Sequence, residues 1–522
     1  MDFLIHHMLA TSAQRLPNKE ALVDGSHRLT YSEVERTVNA VACGLQAAGL
    51  KRGDRVGILL EPSVAQAISI FAASKANSVF VPINHLLFPE QVGHIMKDCG
   101  MRALITTKPK LSSLATVIPT IPSLAFVVGS GEGDCPPVKL PFHRFEDLSA
   151  DATPRFCDQS IDKDLAAILY TSGSTGKPKG VMLTHAQIIA GSSIVSTYLE
   201  ISESERILAI LPFTFDAGLN QLMTAFQRGG TLVMATFTFA REIVQVLAKE
   251  QITGLAGVPT LWSLVAQPHS GLQKTSLPHL RYITNTGGAM PQPVLGTLRK
   301  ALPTTKVFLM YGLTEAFRST YLPPEELDRR PSSMGKAIPN TEILVVNEQG
   351  QPCKPGEVGE LVHRGPTVSL GYWGQPELTA RVLRKHPFSP PELQDGEKVC
   401  YSGDLVKTDE EGFLYFVGRR DTMIKSSGYR ISPTEVEEVL YESGCLRAAA
   451  VVGIPDEVLG QRIKAFVVAK NGGQHEPEGL LAFCAQKMPN HMIPKSIEYL
   501  DELPMTSSGK VDYPTLRRRE GL

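Results

Sequence analysis

The sequence is short of several features that would each point to a function class. None of its eight cysteines, at 43, 99, 135, 157, 353, 400, 445 and 484, forms a Cys-x-x-Cys pair, which argues against a structural zinc site and suits a reducing compartment. No apolar run approaches the ~18 residues that a membrane-spanning helix needs. Residues 1–7 carry an acid where a secretory signal carries basic residues. A soluble, cytoplasmic protein without membrane insertion is the expectation. Charge of one sign is not in excess either: 52 basic and 53 acidic residues leave a net of −1, so nucleic acid is not an expected partner. Small molecules or a single protein fit better.

What the sequence does have is length and alternation. A chain of 522 residues exceeds what one core usually spans, so two or more domains are expected. Helical apolar spacing over residues 32–50 is followed by a buried strand at 55–60, a helix at 64–76, a strand at 79–83, a helix near 90–99 and a strand at 103–107. Strands separated by helices in this way imply parallel sheets covered on both faces.

The chemistry concentrates after the apolar run 165–170. Residues 171–180 hold three glycines, four hydroxyls and two lysines. Glycines let backbone N–H groups approach oxyanions, hydroxyls donate further hydrogen bonds, and lysines bring charge that a polyphosphate neutralises. Thr171, Ser172, Gly173, Ser174, Thr175, Gly176, Lys177 and Lys179 are therefore candidate phosphate ligands. A Walker A loop is disfavoured because Pro178 follows Lys177 and Thr171 stands where its first glycine belongs. A flexible Gly/Ser surface loop is the plainer alternative, but such linkers rarely hold lysines and glycines in fixed alternation around a proline.

Residues 170–185, Tyr-Thr-Ser-Gly-Ser-Thr-Gly-Lys-Pro-Lys-Gly-Val-Met-Leu-Thr-His, resemble the signature loop of the adenylate-forming superfamily. That superfamily contains acyl-CoA synthetases, adenylation domains of nonribosomal peptide synthetases, and luciferases. Further motifs extend the likeness over nearly the whole chain. Residues 79–95 also resemble acyl-CoA ligases associated with bacterial exosortase systems.

Later segments add candidates. Thr184 suits an N-cap for a helix starting at His185. The strand from 207 breaks at Pro212 and leaves Asp216 in an apolar setting, where a carboxylate needs a partner. An N-cap role is one reading. The resemblance supplies another, since Phe215-Asp216-Ala217 is similar to the adenylation-domain motif whose aspartate grips a substrate amino group, whereas most acyl-CoA synthetases have His at 215. Gly287, Gly288 and Ala289 end a strand in a turn suited to a nucleotide base lying on the backbone. Tyr311, Gly312, Thr314 and Glu315 offer an aromatic for adenine, a hydroxyl, and a carboxylate suited to Mg²⁺ held with phosphates; they match the family's Tyr-Gly-x-Thr-Glu.

The resemblance implies the remaining roles. Asp404 would hold the ribose hydroxyls, Arg419 the ribose and phosphate, Asp421 the hinge, Gly428 the thiol tunnel, and Lys510, on an exposed Gly-Lys loop, the carboxylate and α-phosphate. A specificity pocket would be lined by Asp216, Ala217, Asn220, Thr284, Thr286, Met310, Arg318 and Ser319. That lining is polar and suits a short polar acid over a long-chain fatty acid, and Arg318 could pair with a second carboxylate or a hydroxyl. Residues 432–435 read as a capped helix start, with Ser432 as N-cap, Pro433 next, and Glu435 closing a capping box.

The expected fold is α/β. A large N-terminal domain, 1–418, has parallel sheets covered by helices and a β-rich subdomain near 335–417. A hinge follows at 419–421, and then a small, mobile α+β C-terminal lid at 422–522. The expected activity is an AMP-forming acid–thiol ligase using ATP, Mg²⁺ and CoA or phosphopantetheine. Thr171, Glu315 and Lys510 would be its catalytic residues. The lack of a Ser-His-Asp or Cys-His set is neutral, because no covalent nucleophile is required. Competing readings are an amino-acid adenylating enzyme that loads a carrier protein, a luciferase-like oxidoreductase, and a non-catalytic nucleotide-binding protein, which would be expected to lack Lys510 or Glu315.

Overall fold

The computed structural model describes residues 2–131, 139–148, 158–171, 178–393, 396–420, 422–426, 429–456, 459–470, 476–506 and 509–521. Two large sheets organise the first two-thirds of the chain. In one, the strands Glu20–Asp24, Thr231–Met234, Arg206–Ala209, Gly254–Gly257, Tyr282–Asn285 and Lys306–Tyr311 run parallel in that spatial order. In the other, Ala103–Thr107, Arg55–Leu59, Val79–Pro82 and Leu165–Thr171 are parallel neighbours, with Lys179–Thr184 antiparallel at the edge. The strands are short and almost fully buried, as expected of sheets covered on both faces.

The helices follow from local signals. Tyr31–Ala47 buries Tyr31, Val34, Val38, Val41 and Leu45 on one stripe, each worth roughly 1.5–3 kcal/mol by burial. Its first turn is closed by a reciprocal box between Thr30 and Glu33. Val64–Lys75 and Pro89–Asp98 fall where the spacing predicts them.

The N-terminal helix Ile5–Arg15 is stapled to the body by two histidines. His7 Nδ1 accepts the backbone N–H of Phe3 and of Leu4 at 3.3 Å, so its proton sits on Nε2 and is donated to Asp158 Oδ2 at 2.8 Å. His6 Nε2 meets the other carboxylate oxygen at 2.9 Å, and its Nδ1 meets Ser74 Oγ at 3.0 Å. With His7 Nε2 protonated, this trio is a structural clasp and not a metal site.

A third, antiparallel sheet joins Glu342–Val346, Gly359–Arg364, Lys398–Thr408, Leu383–Lys385 and Leu414–Arg419. Asp404 lies inside its longest strand. The smaller C-terminal domain has its own mixed sheet, Ile424–Ser426, Tyr429–Ile431, Gly460–Ala469, Leu446–Asp456 and Ser496–Tyr499. Ser432 does cap the helix Pro433–Glu442, accepting the Glu435 N–H, with Pro433 in the first turn. The return bond from the Glu435 side chain does not form, so the expected capping box is only half made. Among the described residues, no helix is long and apolar enough to cross a membrane.

Candidate active site

Both parallel sheets point the carboxyl ends of their strands at one cleft, as open α/β sheets do when they bind ligands. Pro82, Thr171, Asn285 and Tyr311 stand at those ends and line it, while Gly509 and Lys510 approach from the C-terminal domain. The cleft encloses about 3920 Å³, several times the ~300–1,000 Å³ of a single small-molecule pocket. Several ligands can share it.

The glycine-rich segment joins a hairpin. Thr171 pairs with Lys179 and Tyr170 with Gly180 across antiparallel strands. The Ser172, Gly173, Ser174, Thr175, Gly176 and Lys177 expected to bind phosphate lie outside the described residues, as do Asp421 and Gly428. A Walker A loop passes straight into a helix. Here a strand intervenes, and the helix His185–Tyr198 begins only after Thr184, whose side chain accepts the Gln187 N–H as its cap. Tyr170 donates to Asp98 Oδ2 at 2.5 Å, which fixes the base of the hairpin.

Lys179 Nζ lies 5.9 Å from the ring centroid of Tyr372. The Tyr372 hydroxyl in turn donates to Glu315 Oε1 at 2.6 Å. Burial pushes the pKa of that hydroxyl well up, and the Glu315 charge adds to the effect, so tyrosine stays the donor. Lysine, ring and carboxylate thus form one chain between the hairpin and residues 311–315. Sequence reasoning missed Tyr372. The signal available was its place between Gly371 and Trp373, in a loop whose backbone pairs with the hairpin through Met182 and Gly180.

Tyr311, Asp404 and Arg419 also converge. The Tyr311 hydroxyl donates to Asp404 Oδ2, and Arg419 Nη1 pairs with Asp404 Oδ1 at 3.0 Å. Asp404 is 5% exposed, so the arginine and tyrosine offset the cost of a buried carboxylate. Burial first, then the Asp404 charge, drives the Tyr311 hydroxyl far above its ordinary range. The arrangement presents the tyrosine ring and the carboxylate together at the strand end. Gly312 and Thr314 line the cleft beside them.

Gly287 has φ +82° and Gly288 follows in the same turn, tied by Asn285 Nδ2 donating to Gly288 O at 2.8 Å. Ala289 continues the lining. A Cβ on Gly287 would stand 3.3 Å from Lys510 Cε, so the lysine comes from more than two hundred residues away to this turn. Its loop is anchored by Thr260 Oγ1, which donates to Gly509 O at 3.3 Å, a contact the sequence did not announce.

Of the expected specificity residues, Phe215, Asp216, Ala217, Thr286 and Met310 line the cleft. Asn220, Thr284, Arg318 and Ser319 are buried in the layer behind that wall. Asp216 is not the N-cap; Phe215 occupies that position and Asp216 opens the helix Asp216–Arg228, where its charge complements the helix dipole. Only glycine fits at 218, because a Cβ there would lie 2.0 Å from Pro212 O. That close approach sets how the helix leaves the strand and aims Asp216 at the cleft.

The comparisons with known proteins agree with this geometry. A family model described as AMP-binding enzyme matches residues 9–373, and one described as AMP-binding enzyme C-terminal domain matches 435–510. A feruloyl-CoA synthase from an Amycolatopsis species is 33% identical over 516 residues, covering 98% of this chain and 97% of that protein. Among solved structures, an anthranilate CoA ligase in complex with anthranoyl-AMP superposes with a TM-score of 0.89 at 26% identity, over 99% of this chain and 97% of that one. An o-succinylbenzoate CoA synthetase from Bacillus subtilis, in complex with ATP and magnesium ion, gives 0.83 at 25% identity, over 98% and 99%. The chain belongs to the AMP-binding enzymes of the adenylate-forming superfamily, and its reaction class is that of the AMP-forming acid–thiol ligases.

Proposed function

We propose that the cleft activates a small polar carboxylic acid as its acyl-AMP, with release of pyrophosphate, and then passes the acyl group to the thiol of CoA. The observation that carries this reading is the approach of Lys510 to the Gly287–Gly288 turn, next to the Tyr311–Asp404–Arg419 cluster. Tyr311 would lie against adenine, Asp404 would accept from the ribose hydroxyls, and Arg419 would hold the nucleotide beside it. The 171–179 hairpin would hold the leaving phosphates. Glu315, kept in place by Tyr372, would hold a Mg²⁺ together with those phosphates; a bound Mg²⁺ supplies neutralisation of phosphate charge. Lys510 would place its ammonium between the acid's oxygen and the α-phosphate, so that positioning and charge supply most of the rate. Asp421 as pivot and Gly428 as tunnel wall belong to the thioester half-reaction in this reading, with residues beyond 421 turning as a unit after Lys510 has acted. The likeness of residues 79–95 to exosortase-associated ligases does not enter the substrate reading.

A second reading, an amino-acid adenylating enzyme that loads the phosphopantetheine of a carrier protein, is favoured by one feature. The Asp216 carboxylate faces the cleft with no hydrogen-bond or ion-pair partner among the described residues, which suits a substrate amino group. ATP–pyrophosphate exchange over amino acids, dicarboxylic acids and fatty acids, with Asp216→Ala beside the wild type, tests both readings. Exchange with an amino acid that the substitution abolishes supports amino-acid loading. Exchange with simple acids, indifferent to Asp216, leaves the CoA ligase. No exchange with any acid refutes acid activation.

A further inference from the structure

Arg318 is 5% exposed and nearly unpartnered. Its Nε has no hydrogen-bond acceptor, and its one side-chain bond is Nη1 donating to Thr286 Oγ1 at 3.5 Å. No carboxylate lies within ion-pair distance of it among the described residues. Beside it in the chain, Ser319 opens a polar network that carries no charge. Ser319 Oγ bonds His363 Nδ1 at 2.9 Å, and His363 Nε2 meets Thr367 Oγ1 at 3.2 Å, while burial keeps His363 uncharged, lowering its pKa to about 3. A guanidinium removed from water without a counter-ion is among the costlier things a fold can hold.

The backbone holds it there. Phe317 has φ +50°, a region that L side chains rarely adopt, and its ring is wedged where a Cβ on Gly191 would be 2.4 Å away. Such strain persists where the surroundings over-determine it, and it gathers at functional sites. Behind the same wall, Asn220 sits one turn along the helix from Asp216, on the same face, and keeps its Nδ2 buried with no partner. Thr286, the residue that Arg318 touches, lines the cleft and immediately precedes Gly287, beside which Lys510 lies.

We infer that the acid taken by this cleft carries, a few atoms from the carboxylate that is activated, a second anionic oxygen group that reaches Arg318 past Thr286. The inference rests on the acid-activating reading and narrows it. A second carboxylate supplies the missing counter-ion and two acceptors for the fork of guanidinium donors. The distance is short because Thr286 and the turn under Lys510 are adjacent in the chain, so the tail spans only a few carbons.

The test is ATP–pyrophosphate exchange with four- to six-carbon dicarboxylic acids against monocarboxylic acids of equal length, for wild type, Arg318→Lys and Arg318→Met. The expected result is a wild-type kcat/KM at least tenfold higher for one of the dicarboxylic acids, a preference that Arg318→Met removes and Arg318→Lys partly keeps. Melting without any acid is measured on the same variants. If Arg318 awaits a ligand, Arg318→Met melts no lower than wild type, since no internal ion pair is lost. Exchange that favours the monocarboxylic acids, or a ratio unchanged by Arg318→Met, overturns the inference and leaves acid activation standing. So does a fall of several degrees in the acid-free melting of Arg318→Met, which would make the arginine structural. Absence of exchange with every acid, in a protein whose melting ATP raises, overturns both.

Discussion

Replacing Gly287 by alanine isolates the step that the proposed reaction assigns to Lys510. The backbone there has φ +82°, which costs an L side chain roughly 1–2 kcal/mol. The new methyl would stand 3.3 Å from Lys510 Cε and 3.5 Å from Val258 Cγ1. One neighbour must give by a few tenths of an ångström. Val258 precedes a helix packed into the large domain, whereas the Lys510 side chain is exposed, so the lysine yields. A displacement of about 1 Å at a reacting centre costs on the order of 100-fold, and a few tenths scale to about tenfold. The assay has two arms: ATP–pyrophosphate exchange for acid activation, and single-turnover conversion of synthetic acyl-AMP by thiol. Exchange should fall about tenfold while thiol transfer changes less than about twofold, because the proposed second step makes no use of the lysine. The strain alone should lower the melting temperature by roughly 2 °C. Equal losses in both arms, or unchanged exchange, would refute the assignment of Lys510 to the first half-reaction.

Other outcomes follow from the same geometry. Tyr372→Phe removes the hydroxyl that donates to Glu315 and should raise the Mg²⁺ concentration needed for half-maximal exchange several-fold, a loss of ~1 kcal/mol typical of one such bond; an unchanged Mg²⁺ requirement would separate Tyr372 from the metal. Gly218→Ala sets a Cβ 2.0 Å from Pro212 O, so the purified variant should melt several degrees lower or fail to accumulate, and a wild-type melting curve would show that the helix start is free to move. Acid should destabilise the large domain through His6, His185 and His363, whose burial lowers their pKa values to about 3, about 4 and about 3. The unfolded chain takes up these protons first, so stability is complete above an unfolded value of about 6.5 and is lost as pH falls, by about 3 to 4 kcal/mol between pH 6 and pH 5 for the three together. Glu437 in the C-terminal domain, raised to about 8 by burial, has the opposite sign: its contribution is present below the unfolded value of about 4.5 and is lost as pH rises toward 8. Urea midpoints for each domain at the two pH values read both signs, and a large domain equally stable at pH 5 and pH 6 contradicts the histidine account.

The parts of the fold set by neighbouring residues were legible in the sequence. Thr184 and Ser432 were readable as caps because a cap needs only the next three residues, and the strands at 55–59, 79–82 and 103–107 follow from apolar runs between turn signals. Pairing across long distances was not readable. Glu20–Asp24 forms a local hairpin with His27–Thr30, but its other edge pairs with Thr231–Met234, some two hundred residues away, which no local pattern specifies. The same division holds in the cleft. Tyr311, Glu315, Asp404, Arg419 and Lys510 could be found because each sits in a distinctive motif. Tyr372 and Thr260 could not, since their importance lies in partners at Glu315 and Gly509. The layering of the specificity residues was equally hidden. Arg318 and Thr286 look alike as candidate lining, and only packing puts one behind the other.

The central claim, that the acid's own oxygen attacks the α-phosphorus of ATP, is tested most directly with a carboxylic acid labelled with ¹⁸O in both carboxyl oxygens, turned over with ATP and thiol and read by mass spectrometry. The account predicts one labelled oxygen in AMP and none in pyrophosphate. Label in inorganic phosphate with release of ADP, or AMP that carries no label, would contradict it.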